Sequence, residues 1–371
     1  MKESEVHQLI MDEETLRSSI LSLLNIDGKD SKIEFVHEDQ YPNGMYADFT
    51  VKKDDEVQAI IECKGSDIGV NDYVRGIGQI LEYQHFADSN LSIKGYKYNK
   101  NVCSVYFLPS SVLRNRNFNI GIFKYPKKSK IMELNEHNKN VRLISDKELE
   151  ELATTIDNNL VTISQYYIRD NRIYELFLCL KYCNYCKAKG EIRINRGQAE
   201  MQFLRKLETT NNKNWRNAFI SLSSLGLIDA NNLPTYIGSF YANMDYAEFC
   251  LEIYKSYIKE YVDLLSQVLL SKADNEINKT FSYSYKEIND DISKLFSNKK
   301  VLFVTDSKDR YLSSWLNIMR DDFMCIDFKP RDKQRKILYN IVELNDNAII
   351  NRIKQNKKAY AYFEKLSELI K

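Results

Sequence analysis

With 371 residues, the chain is too long for one ordinary core and predicts two or three domains. Its 53 Lys and Arg against 52 Asp and Glu leave a net charge of +1, so overall charge names no partner and local charge must. Few Gly (12) and Pro (5) argue against long disordered linkers, and no apolar run reaches the ~18 residues of a membrane span.

The N-terminal MKESEVHQLIMDEE is acidic and has no apolar core of signal-peptide length. Together with an odd count of seven Cys, it predicts a cytoplasmic, reducing location. Residues 4–24 have helical apolar spacing, and 32–38, 46–52 and 57–64 read as strands, the last two joined by a hairpin turn at KKDDE. Helical spacing returns over 70–88, 102–108 reads as a buried strand, and 120–125 is a further strand candidate. These elements make a first block, 1–165.

A second block, 166–272, is mostly helical: IYELFLCLKYCNYC, RGQAEMQFLRKL and NWRNAFISLSSLGLID, then NLPTYIGSFY. Three helices followed by a short extended pair is a winged-helix order, with Gly226 the expected C-cap of the third helix. The third block, 273–371, repeats that plan. It has a helix at 285–297, a strand VLFVT, a helix at 308–320, a hairpin from MCIDFKP and KILYNIVEL, and a charged C-terminal helix.

Chemistry concentrates in ADFTVKKDDEVQAIIECKG, residues 47–65. A hairpin of these two runs brings Asp48 close to Glu62. Glu62 and Lys64 are two apart and share a strand face, while Cys63 points the other way. Two carboxylates on neighbouring strands suit a hard divalent cation such as Mg²⁺, with the Cys63 backbone carbonyl as a further oxygen ligand. A Lys crowded by a metal and partly desolvated is expected to have a lowered pKa. Glu62-x-Lys64 is the chain's one Glu-x-Lys; of the Asp-x-Lys pairs, Asp327 in CIDFKP, with Asp306 upstream, is the best decoy, but a helix separates its two runs.

The run Asp48, then Glu62-Cys63-Lys64, resembles the PD-(D/E)xK nuclease superfamily, with Ala47 where that motif has Pro. Gln79 and Tyr83 in GIGQILEYQ resemble the Gln-xxx-Tyr addition of many members, and a spacing of four puts them on one helical face. Glu5, Glu13 and Glu14 are candidates for the acid that many members carry on the first helix. The resemblance implies an α+β fold: a nuclease core with a central mixed sheet flanked by helices, followed by mostly helical winged-helix domains. It further implies a Mg²⁺-dependent type II restriction endonuclease, with Mn²⁺ able to substitute, that hydrolyses double-stranded DNA. A cognate methyltransferase would be encoded separately, and a homodimer or transient dimer would make double-strand cuts. A structure- or modification-directed nuclease of repair or defence, and a catalytically dead DNA-binding regulator, are the alternatives.

Local charge agrees with a nucleic-acid partner. Between Ser89 and Met132 stand nine basic residues and no acid: Lys94, Lys97, Lys100, Arg114, Arg116, Lys124, Lys127, Lys128 and Lys130, interleaved with aromatics. Asn214, Arg216, Asn217 and Ser221 on the expected recognition helix are candidates for reading base edges. Lys308, Arg310, Asn317, Arg331, Lys333 and Arg335 in the third block suit phosphates better. Cys179, Cys183 and Cys186 form one CxxC without a partner pair and read as buried thiols, and His7, His37, His85 and His137 show no ligand spacing.

Overall fold

The computed structural model describes residues 1–371 except 28–30, 116, 158–159, 165, 167, 169, 273–279, 283, 307–308, 330–335, 340–344 and 371. It describes residues 43, 156, 157, 280 and 281 by their backbone only. The fold is α+β, as expected. Contacts divide the chain into two compact units, Met1–Ile156 and Asp157–Lys371, rather than three blocks.

The first unit is a three-layer sandwich. Helices α1 (Glu3–Asp12) and α2 (Glu14–Leu23) precede β1 (Ile33–Gln40), β2 (Tyr46–Lys53) and β3 (Glu56–Cys63). Then come α3 (Val70–Asp88), β4 (Lys97–Pro109), the short α4 (Ser110–Leu113), β5 (Lys130–Leu134), β6 (Val141–Ile144) and α5 (Asp146–Asp157). The six strands lie in chain order in one mixed sheet, with β3–β4 and β4–β5 parallel and the remaining pairs antiparallel. The expected β2–β3 hairpin is present and pairs Phe49 with Ile61. Val6, Ile10, Leu16 and Ile20 of α1 and α2 pack with Phe49, Ile61 and Cys63, while Tyr73, Ile77, Ile80 and Tyr83 of α3 pack with Ile60 and Tyr106. Those α3 residues recur at helical spacing, which is why the segment folds as a helix with one buried stripe.

Two expectations for this unit change. Residues 4–24 form two helices, broken at Glu13, whose extended backbone (φ −95°, ψ 99°) ends the first helix. Residues 120–125 contain a single turn, Ile120–Ile122, in place of a strand: the Asn119 side chain accepts from Gly121 N, and a Cβ at Gly121 would meet the Leu149 carbonyl of α5 at 2.3 Å. The close approach of α5 fixes that turn.

The second unit holds β7 (Leu160–Val161), α6 (Ile173–Ala188), α7 (Arg196–Gln202), α8 (Trp215–Ser224), α9 (Tyr236–Ala242) and α10 (Tyr246–Ile253). It continues with α11 (Lys259–Leu270), β8 (Thr280–Ser282), α12 (Tyr285–Leu295), β9 (Lys300–Val301), α13 (Arg310–Asp321), β10 (Ile326–Phe328), β11 (Lys336–Tyr339), α14 (Asp346–Ile353) and α15 (Lys357–Leu369). Gly226 ends α8 in the left-handed region at φ +69°, with Leu227 N bonded to Leu222 O and Gly226 N to Ser223 O. This is the C-cap expected there. The extended pair after it shrinks to one bridge, Ile228 with Pro234, because Thr235 Oγ1 accepts from Gly238 N and caps α9 where a strand was expected.

The blocks 166–272 and 273–371 fall in this one unit because they bury their apolar faces on each other. Tyr261 stacks on Trp315 with centroids 4.4 Å apart, and Phe177 meets Phe363 edge-on. The hairpin β10–β11 forms as expected, and β8 pairs with its second strand. The run VLFVT contributes only Val301 to a strand, β9, which pairs with β7. The decoy's two runs therefore lie in different sheets, and no hairpin joins Asp306 to Asp327.

Candidate active site

The adjacency of Asp48, Glu62 and Lys64 follows from the β2–β3 hairpin. All three line one polar cleft of about 420 Å³ at the C-terminal end of β3, with Gln79 from α3. Glu62 is 2% exposed, and its Oε1 accepts from Lys64 Nζ at 2.6 Å, so the two side chains share a strand face as their spacing predicts. Tyr83 is buried behind Glu62, with its hydroxyl 3.0 Å from Glu62 Oε2 and 2.9 Å from the Tyr46 carbonyl. With Glu62 neutral, its O–H has the Tyr83 oxygen as acceptor while Tyr83 donates to Tyr46.

Burial pushes the Glu62 carboxyl up to about 7, and the Asp48 charge adds to the rise against the pull of Lys64 and Tyr83. Burial, with Glu62 next, raises the Tyr83 hydroxyl as well. For Lys64 the largest single influence is also burial, which disfavours its charge, yet Glu62, Glu3 and Asp48 outweigh it and hold the ammonium above its ordinary pKa. The lowered pKa expected for this lysine is thus reversed in the protein alone, because three carboxylates surround the ammonium group.

Cys63 is fully buried with its side chain on the α1–α2 face, and its amide donates to Asp48 Oδ2 at 2.6 Å. The same carboxylate lies 3.5 Å through Oδ1 from His7 Nε2 on α1. The residues present suit a divalent cation. Two carboxylates crowd one polar cleft, and burial beside the Asp48 charge disfavours the ionised form of Glu62, which a cation would favour.

Sequence reasoning missed several lining residues. Glu3, rather than Glu5, Glu13 or Glu14, brings an acid from the first helix into the cleft, 3.7 Å from Lys64 Nζ. Glu5 instead caps its own helix, accepting from Lys2 N. Gly65 makes this possible, since a Cβ there would sit 2.8 Å from Glu3 N. Asp67, Asp72 and Arg75 also line the cleft. Asp72, Arg75, Gln79 and Tyr83 are spaced by three, four and four, a signal that the sequence contained.

The basic stretch begins away from the site and only its later part returns to it, where Asn115, beside Arg114, donates to the carbonyl of the cleft residue Ile68 at 3.3 Å. Lys97 pairs with Glu56 at the start of β3 whereas Glu62 pairs with Tyr106, so Lys97 lies about 20 Å away along the strand. Lys94 is paired with Asp39 and Lys128 with Asp88.

Among the proposed DNA-reading residues of α8, Asn214 and Arg216 are exposed and Asn217 is half-buried. Ser221 is corrected: it is fully buried, facing the core beside Leu222, and cannot reach a base edge. On α13, Arg310 is exposed and paired with Asp170 at 3.1 Å, and Asn317 is half-buried. Lys308, Arg331, Lys333 and Arg335 lie outside the described residues. Cys179, Cys183 and Cys186 are buried along α6.

No protein-family model matches the chain, and no curated protein matches it.

Proposed function

We propose that this chain is a Mg²⁺-dependent, sequence-specific double-stranded DNA endonuclease of the type II restriction kind, with PD-(D/E)xK chemistry in its first unit. The observation that carries the reading is the convergence of Asp48, Glu62 and Lys64 in one polar cleft, with Gln79 of α3 lining it and Tyr83 of α3 buried behind Glu62. Asp48, Glu62 and the Cys63 carbonyl would hold the ion, and Mn²⁺ would substitute for it. The bound cation would supply Lewis-acid polarisation of the scissile phosphate and ease deprotonation of a water.

The chain's own groups do the rest. The Lys64 ammonium, fixed by Glu62 and Glu3, places a positive charge where the phosphorane gains negative charge. Tyr83 holds the Glu62 carboxylate in place, and Gln79 and Arg75, on the exposed side of the cleft, can reach a phosphate oxygen. In the second unit, α11–β8–α12–β9–α13–β10–β11 runs helix, strand, helix, helix, hairpin once the two-residue β9, which pairs outside this sheet with β7, is set aside, and β8 closes on β11. That order is the winged-helix one and supports double-stranded DNA as the partner. One cleft cuts one strand, so a double-strand break requires a homodimer, a transient pair or two successive cuts. Among the described residues no helix is long and apolar enough to cross a membrane, which is compatible with a cytoplasmic enzyme protected by a separately encoded methyltransferase.

The second reading is a nuclease directed by DNA structure or modification. The burial of Ser221 favours it, because it removes one base-reading group from α8. A dead DNA-binding regulator is the weakest reading, since the three cleft residues are intact. The test is to incubate the protein, Asp48→Ala and Lys64→Ala with unmethylated phage-length DNA and Mg²⁺. Discrete bands lost in both variants are expected. A smear lost in both moves the assignment to the second reading, and absence of cleavage on unmethylated and methylated DNA alike refutes both.

A further inference from the structure

At Asp48, three unlike donors meet. They are His7 Nε2 from α1, a carboxylate oxygen of Asp48 from β2 and Cys63 Sγ from β3, all within 4.8 Å of one another. The His7 ring is held in place by its neighbours: its Nδ1 is 3.2 Å from His37 Nε2, and the ring meets Phe49 edge-on with centroids 5.6 Å apart. Its Nε2 is buried and makes no hydrogen bond; 3.5 Å to Asp48 Oδ1 is an ion-pair spacing. The buried imidazole nitrogen thus faces the Asp48 carboxylate at a spacing longer than a good hydrogen bond.

We propose that His7, Asp48 and Cys63 form a binding site for a borderline-soft divalent metal of the zinc class, distinct in chemistry from the oxygen-lined cleft. Nitrogen, oxygen and sulfur donors suit zinc, whereas Mg²⁺ takes oxygen alone. The geometry is close to what zinc needs: metal–ligand bonds near 2.0–2.3 Å put tetrahedral ligands roughly 3.3–3.7 Å apart. The His7–Asp48 spacing already falls there, and the other separations close by about an ångström. Binding displaces the Cys63 thiol proton to solvent as the sulfur–metal bond forms. Asp48 is common to both sites. Zinc therefore withdraws it from the cleft and inhibits cleavage; this consequence alone rests on the nuclease reading.

The test uses the full chain and needs no cleavage. Zn²⁺ is titrated against a chromophoric chelator, and Co²⁺ is added in parallel to look for a thiolate-to-cobalt charge-transfer band. One tight equivalent and the band are expected. His7→Ala should weaken binding at least about tenfold, and Cys63→Ser should abolish the band. Glu62→Gln, which leaves all three donors in place, should retain both signals. Cys63→Ala serves if the Ser variant does not fold, as judged by its melting transition. A wild-type protein that binds no Zn²⁺, or a band and affinity unchanged in the His7 and Cys63 variants, overturns the site; the latter result places the ion elsewhere, such as at Cys179 and Cys183. Cleavage assays with added Zn²⁺ follow separately, so loss of the nuclease reading leaves the binding result standing.

Discussion

Glu62 is the residue on which the site's electrostatics turn. Burial, then the Asp48 charge, raises its carboxyl to about 7. A carboxyl whose pKa is higher folded than unfolded binds its proton more tightly in the native state, so stability falls as pH rises between the two values. For the protein without added metal, the expected outcome is a melting temperature that declines from about pH 4.5 to pH 7 through this group. Glu62→Gln should flatten that part of the profile, and Mg²⁺ should restore stability near neutral pH by favouring the charged form. A profile identical in wild type and Glu62→Gln would show that the carboxyl does not titrate in this range. At the same scale, Lys64→Ala and Asp48→Ala should each lower the cleavage rate at least about a hundredfold while leaving the fold intact by circular dichroism. Part of this was legible in the sequence. A two-residue spacing on a strand puts Glu62 and Lys64 on one face wherever the strand lies, and their 2.6 Å bond agrees. His7 and Glu3 were not legible, because no local spacing ties them to residues 40 or more positions away.

At the scale of elements, one close tie stands out in each unit. In the first, α3 lies so close to β4 that a Cβ at Gly76 would fall 2.3 Å from the Tyr106 hydroxyl, which donates to the Tyr73 carbonyl of the same helix. Gly76→Val should destabilise the protein by about 1–3 kcal/mol in denaturant titration. It should also cut cleavage more than that loss explains, because α3 positions Gln79 and Tyr83. In the second unit the buried Asp322 accepts from Ile173 N, Tyr174 N and Tyr246 O–H, tying the end of α13 to the start of α6 and to α10. Asp322→Ala strands three donors and should cost about 1–3 kcal/mol or more, with Asp322→Asn costing less. Equal stability in both variants would remove that tie from the account. Element types were readable from periodicity, but their phase was not always. Ser221 is polar and reads as exposed, yet α8 buries the stripe containing Ala218, Ser221 and Leu222. Which stripe faces inward depends on what packs against the helix.

At the scale of the molecule, the division at residues 156 and 157 predicts that the two proposed activities separate with it. Residues 1–156 expressed alone should fold, bind divalent metal and cut DNA without site preference, whereas residues 157–371 should bind duplex DNA and cut nothing. Binding by the second fragment should weaken steeply with salt, as phosphate contacts require. Arg216→Ala should weaken it further and relax any sequence preference, read by gel shift at fixed ionic strength. Binding that is indifferent to both salt and Arg216 would detach DNA recognition from this unit. The three-block division followed from helical composition changing along the chain. It fails at 272/273 because the faces of Tyr261 and Trp315, far apart in sequence, close on each other into one core.

The sequence by itself determined what depends on near neighbours: the β2–β3 hairpin, the shared face of Glu62 and Lys64, the Gln79–Tyr83 helix face and the Gly226 cap. Backbone periodicity and glycine stereochemistry act over a few residues, and all of these features recur in the structure. Only the tertiary structure decided that His7 meets Asp48 and Glu3 meets Lys64, that the basic stretch begins at the opposite end of the sheet, and that blocks two and three share one core. Those outcomes depend on which apolar faces bury against each other, a choice made by the packing of the whole chain.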